Sequence, residues 1–276
     1  MNYIIERRKT LKSLSAFFIF FYTPSYDMFS SLVASSIINF FFAKLMLFPV
    51  ARTDENLKIY TCAFVIIFIF SILEFITKSN LYNLLLTSLL TGAWFTYVFW
   101  YSKLEQREKS TILELNKQIP NFPLENTSGK KLEIYNYIGN PMIILFYRGN
   151  WCPLCMAQIK EIASKYQELE SMGVKTILVS NQPHQNSQSL SDKFKVNFDF
   201  LVDKNNEAAQ ELGIDHKYGI PGGFQVFGYD SDTAMPTLII TDETGKVIFL
   251  DQTDNYRVRP EPDTFIRILK EKGINR

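Results

Sequence analysis

Cysteine is scarce in this sequence, with three residues in 276, and histidine scarcer still, with two. So few thiols exclude a disulfide-framed scaffold, which small secreted domains build from several bridges. The histidines, His184 and His216, have no second C-x-x-C or H-x-x-H partner beside them, so a zinc site would lack two ligands and no metal is expected. A net charge of +1 gives no global pull toward nucleic acid, and no such partner is expected. Charge is also nearly missing from one region, roughly the first hundred residues, where aromatic residues crowd instead.

That region reads as membrane helices. A spanning helix needs about 20 largely apolar residues. Phe29 to Pro49, Tyr60 to Thr77 and Leu81 to Tyr101 qualify. Lys44 and Glu74 sit near helix ends, where snorkelling accounts for them, and anchoring is expected over a transport pathway. Trp94 to Tyr101 reads as an interfacial aromatic belt. Cys62, in TCAFVIIFIF, reads as a buried small hydrophobe. A shorter stretch, Leu11 to Tyr22, follows Arg7, Arg8 and Lys9 and gives a fourth candidate, short, tilted or interfacial. With four spans, nine of ten flanking Lys and Arg residues fall on one side; with three they divide five and five. Because loop Lys and Arg favour the cytoplasmic face, the expectation is a multi-pass protein of a bacterial inner membrane with its C-terminal domain in the cytoplasm. The periplasmic alternative stays open. The fold class is thus a helical bundle of three or four spans over residues 1–103, a charged linker over 104–112, and an α/β domain over 113–276.

In the C-terminal part, Met142–Tyr147, Val174–Ser180, Phe198–Val202 and Thr237–Thr241 are short apolar runs that read as buried strands. Lys246–Leu250 follows the turn Asp242-Glu243-Thr244-Gly245 and reads as a hairpin partner. Ile159, Ile162, Ala163, Tyr166 and Leu169 share one face of a single helix closed by Gly173. The first strand runs into Arg148-Gly149-Asn150-Trp151-Cys152-Pro153-Leu154-Cys155, where that helix begins. A thiol there meets unpaired backbone N–H groups and the positive end of the helix dipole, which favour thiolate. Arg148 adds a fixed positive charge, and a second thiol one turn away suits an internal disulfide. Strand, C-x-x-C and helix in this order point to redox chemistry. With no Gly-rich dinucleotide fingerprint and no cofactor expected, electrons would come from another thiol protein.

The stretches IPNFPLENTSGKKLEIYNYIGNPMIILFYRGNWCPLC, VKTILVSNQ, FDFLVDKNNEAAQELGI, MPTLIITDETGKVIF and NYRVRPEP resemble the peroxiredoxin-like branch of the alkyl hydroperoxide reductase/thiol-specific antioxidant family. The resemblance covers about 119 to 270 and implies a thioredoxin-like fold with thiol-dependent reduction of peroxides or disulfides. It implies a thioredoxin-like or other dithiol electron donor. Typical members read Phe-Tyr-Pro-x-x-x-Thr-x-x-Cys; here Arg148 replaces the Pro, Cys152 the Thr, and Cys155 takes the peroxidatic place. Thioredoxins, whose site is similar to Trp151-Cys152-x-x-Cys155, attack with the first cysteine. The attacking sulfur is therefore open between Cys152 and Cys155. Met235-Pro236-Thr237 resembles the cis-proline beside thioredoxin-fold cysteines. Arg259 either approaches the site or is a solvated residue before the last helix. Three functions follow: a peroxidase, a thiol–disulfide oxidoreductase, or a non-catalytic redox sensor or scaffold.

Overall fold

The computed structural model describes residues 28–104 and 109–274. The candidate segment Leu11–Tyr22, the residues Arg7, Arg8, Lys9 and Lys12, and Arg107 lie outside the described residues.

Three helices, α1 (Phe29–Leu47), α2 (Lys58–Lys78) and α3 (Leu81–Phe95, continued as a π-turn over Thr96–Tyr101), are each long and apolar enough to cross a membrane. Parts of them, up to Ile38 and over Cys62–Trp94, form one compact unit. Its interior holds Phe64, Ser71 and Glu74 from α2 and Asn83, Thr87, Thr91 and Trp94 from α3. Phe64 stacks on Trp94 with ring centroids 4.9 Å apart.

Glu74 does not snorkel. It is buried, and its Oε2 accepts from Ser30 Oγ at 2.5 Å and from Asn83 Nδ2 at 2.8 Å. Asn83 also donates to Ser30 Oγ and accepts from the Ser31 backbone N–H. A carboxyl on an apolar helix is cheapest where neighbouring helices satisfy its oxygens, and Ser and Asn across the helix contacts do so here. Cys62 is exposed on α2 rather than buried. The reason is helical phase: the inward face passes through Phe64, Ser71 and Glu74, and Cys62 lies across the helix from it.

The second unit comprises Asn39–Thr61 and Phe95 onward. Its centre is a seven-stranded mixed sheet of order β2-β1-β5-β4-β3-β8-β9. The strands are β1 (Pro123–Glu125), β2 (Lys131–Glu133), β3 (Met142–Phe146), β4 (Lys175–Ser180), β5 (Asp199–Val202), β8 (Thr237–Thr241) and β9 (Val247–Gln252). β3, β4 and β5 run parallel, whereas β8 pairs antiparallel with β3, Phe146 opposite Thr237. A separate ribbon pairs β6 (Asp215–His216) with β7 (Thr233–Ala234). Connecting helices are α4 (Pro153–Ser164), α5 (Tyr166–Ser171), α6 (His184–Phe194) and α7 (Glu207–Glu211), with α8 (Pro262–Glu271) last.

The single helix expected after the C-x-x-C is divided at Lys165. Ser164 Oγ donates to the Glu161 carbonyl at 2.6 Å, and the Lys165 N–H bonds one residue short, to Ile162. A hydroxyl that takes the i−4 carbonyl's neighbourhood competes with the helical ladder.

Strand alternation divides the interior into two cores. Ile143, Leu145, Tyr147, Leu178, Phe200, Leu238 and Ile240 pack with α4 and α8 through Ile159, Ile162, Phe265 and Leu269. Met142, Ile144, Phe146, Ile177, Val179 and Ile239 face Ile119, Phe122, Ala208, Ala209 and Leu212. The first core also contains both C-x-x-C cysteines and, from the end of α1, Leu45.

Candidate active site

The site begins where β3 ends. Tyr147 still donates its N–H to Val179 at 2.9 Å, and the chain then turns. Gly149 has φ +131°, and a Cβ there would stand 2.8 Å from the Trp151 ring, so the turn needs glycine twice over. Cys152 is the N-cap of α4, with Pro153 at its first position, a residue preset for helical φ and lacking an N–H to satisfy. Its Sγ accepts from the Cys155 N–H at 3.4 Å. The two sulfurs lie 2.7 Å apart, both free thiols. Cys152 is 2% exposed and Cys155 fully buried.

Arg259 is buried and reaches the second sulfur. Its Nη2 lies 3.4 Å from Cys155 Sγ, Nη1 donates to Gln158 Oε1 at 2.8 Å, and Nε donates to the Tyr256 carbonyl at 3.0 Å. Gln158, one turn beyond Cys155 on α4, thereby sets the guanidinium on the thiol. Of the two places open to Arg259, the structure selects the site.

Arg148 brings its positive charge to the site and is held there by fixed partners. Its side chain donates to the Gly219 carbonyl and lies over two rings, 5.0 Å from Trp151 and 5.4 Å from Tyr256. Its backbone N–H faces Cys155 and its charge favours the Cys152 thiolate. Trp151 is held by its indole N–H on the Arg148 carbonyl at 3.0 Å and packs on Phe224. Pro236 is buried at the head of β8, the sheet end where β3 delivers the cysteines. Its peptide bond is not cis; among the described residues none is. The backbone runs extended from β7 into β8, with the Met235 N–H on the Ile214 carbonyl at 2.8 Å, and trans is the lower-energy form for that path.

The two thiols are driven apart. Burial raises both, but Cys155 falls below the ordinary thiol value because the Cys152 thiol, the Arg259 guanidinium and the Arg148 N–H all stabilise its anion. Cys152 rises, through burial first and then because it keeps the proton it donates to Cys155. With the Arg259 guanidinium on its sulfur, Cys155 is the one of the two favoured as thiolate.

Further residues surround the turn. Gln182 accepts from the Asn150 N–H at 2.8 Å and donates to Tyr147 Oη at 3.0 Å and Ser187 Oγ at 3.1 Å. Tyr147 is fully buried, and its phenol is raised by that burial and by the nearby Cys155 charge. His184 is engaged elsewhere: its Nε2 bonds Glu125 at 2.8 Å. Burial opposes ionisation of Glu125, yet His184 and Lys204 hold its carboxyl below the usual value. Sequence reasoning missed Gln158, Gln182 and Tyr147, which carry no motif. A Gln three residues after Cys155, on the buried face of α4, was the one available signal.

A parallel-stranded core flanked by antiparallel β8 and β9, with a C-x-x-C at the β3–α4 turn, defines the thioredoxin fold. Residues 115–250 match the AhpC/TSA family, and this part of the chain is a peroxiredoxin-like domain. Chloroplastic peroxiredoxin Q of Triticum aestivum is 25% identical over 95 residues, 34% of this chain and 44% of the relative. The chain thus spans under half the length of that relative and of the peroxiredoxin Q of Populus jackii. Thiol-disulfide oxidoreductase ResA of Bacillus cereus is 26% identical over 171 residues, 61% of this chain and 84% of the relative. Among solved structures, peroxidoxin BcpB from Mycobacterium tuberculosis aligns with a TM-score of 0.48 and 14% identity, over 58% of this chain and 97% of its own.

Proposed function

We propose that this chain is a membrane-anchored thiol peroxidase in which Cys155 attacks and Cys152 resolves. The observation that carries the reading is the buried Arg259 guanidinium on Cys155 Sγ at 3.4 Å. The Cys155 thiolate attacks one peroxide oxygen and the O–O bond breaks. The sulfur becomes a sulfenic acid, and the other oxygen leaves as alcohol or water after taking a proton. Cys152 then attacks the sulfenic sulfur, water departs, and an internal disulfide remains for a dithiol protein to reduce. Burial of both sulfurs favours a small substrate, because a protein disulfide needs a sulfur it can dock against. The α1–α3 helices supply the anchor.

A second reading, a thiol–disulfide oxidoreductase, has support in the longer stretch of chain shared with ResA. The deciding experiment uses the full chain in detergent micelles with excess dithiol. Peroxide consumption is compared for wild type, Cys152→Ser and Cys155→Ser. The peroxidase reading expects turnover lost in both variants, with a trappable sulfenic acid formed in Cys152→Ser alone. Background peroxide turnover beside brisk insulin-disulfide reduction would replace it with the second reading.

A further inference from the structure

Arg259 sits on a short segment, 255–260, that is held largely by residues distant in sequence. Arg257 is fully buried, and its acceptors are all neutral: Ser102 Oγ at 2.8 Å, Thr53 Oγ1 and the Asp54 carbonyl at 2.9 Å, and the Glu55 carbonyl at 2.7 Å. The contact returns in the other direction. The Thr53 N–H donates to the Arg257 carbonyl at 2.9 Å, and Arg52 Nε donates to the Arg259 carbonyl at 3.0 Å. Arg52 is itself oriented by Glu161 of α4, at 2.6 Å. The loop between α1 and α2 therefore grips the backbone on both sides of Val258.

A guanidinium buried without a carboxylate is an expensive way to fasten a loop. Its fork of donors does, however, fix direction as few other groups can. The residue so fixed lies two positions from Arg259, whose guanidinium must hold its place on a sulfur to within a few tenths of an ångström.

We infer that Arg52 and Arg257 are positioning residues for the Cys155 reaction: through the α1–α2 loop they hold the 257–259 backbone so that Arg259 meets the sulfur. The inference rests on the reading of Cys155 as the reactive thiolate. Neither residue touches the thiol. Their effect is on where Arg259 stands, hence on how much thiolate Cys155 carries at a given pH.

The test is the pH profile of iodoacetamide alkylation in the full chain carrying Cys62→Ala and Cys152→Ser, which leaves Cys155 as the sole thiol and a hydroxyl donor beside it. In that background the profile should inflect below the ordinary thiol range; an ordinary inflection would overturn the Cys155 reading itself. Added Arg52→Ala or Arg257→Lys should each move the inflection up by about one pH unit, or about tenfold less thiolate on the acid side. A low inflection that neither variant moves, even with a lowered melting temperature, would make both residues merely structural and overturn the inference. A shift in Arg52→Ala with none in a folded Arg257→Lys would trace the effect to lost charge and overturn it as well. Should Arg257→Lys not fold, Arg52→Lys takes its place: it keeps the charge, loses the fork of donors, and alters a side chain that is 27% exposed, so an inflection it leaves unmoved would overturn the inference.

Discussion

Both compact units of this chain bury polar side chains, but to opposite ends. In the helical unit, Ser30, Glu74 and Asn83 satisfy one another in a closed set of hydrogen bonds. In the sheet unit, the Cys152 thiol, the Arg148 N–H and the Arg259 guanidinium converge on one sulfur. A closed set ties helices together and loses packing stability when one member goes. A convergent set stabilises negative charge on one atom and, when one member goes, loses reactivity instead. Burial of polarity therefore does not by itself mark a reactive site; the direction of the donors does.

The largest effect should come from Cys155→Ser, which removes the atom of convergence and should bring peroxide turnover in full-length protein to background. Next, Arg259→Ala should slow the peroxide reaction by roughly a hundredfold, as loss of one charged donor at a reacting centre does. Its pH profile fixes the sign. Thiolate forms as pH rises through the Cys155 pKa, so wild type should reach its rate plateau at lower pH than an ordinary thiol. Arg259→Ala should reach it later, and a profile that moved toward acid would contradict the arrangement.

Leu45→Ala should lower the melting temperature of the sheet unit by an amount equivalent to about 2 kcal/mol, the low end for a buried leucine that keeps a little exposure. Unchanged melting would separate Leu45 from the core that holds the cysteines. The smallest effect belongs to Glu74→Gln, about 0.6–1 kcal/mol in detergent melting, since Gln keeps one acceptor for Ser30 or Asn83. Its Cys155 alkylation rate should match wild type; a slowed rate would break the contrast between closed and convergent sets.

Much of this was legible in the sequence. Length and lack of charge marked the three apolar helices, and MIILFY running into GNWCPLC marked the strand, turn and helix of the site. What escaped needed a third dimension. Glu74 looked like a snorkelling end residue because its partners, Ser30 and Asn83, stand 44 and 9 positions away. Pro236 carried the family's sequence pattern while its backbone took the trans path. The break at Lys165 depended on one serine hydroxyl rather than on any Gly or Pro. Arg259 was one of two equal choices until Gln158, 101 positions away, was seen to hold it.

The grip on Arg257 also bears on how such a protein can be inherited. Ser102, Thr53, Asp54 and Glu55, which supply its acceptors, all precede the charged stretch where a recombination event would most simply exchange one anchor for another. A domain moved onto a foreign anchor would arrive with a buried cation stripped of those acceptors. The α1–α2 loop would have to move with the redox domain, and a change at Thr53 or Ser102, the two side-chain acceptors, should be matched by a change at position 257.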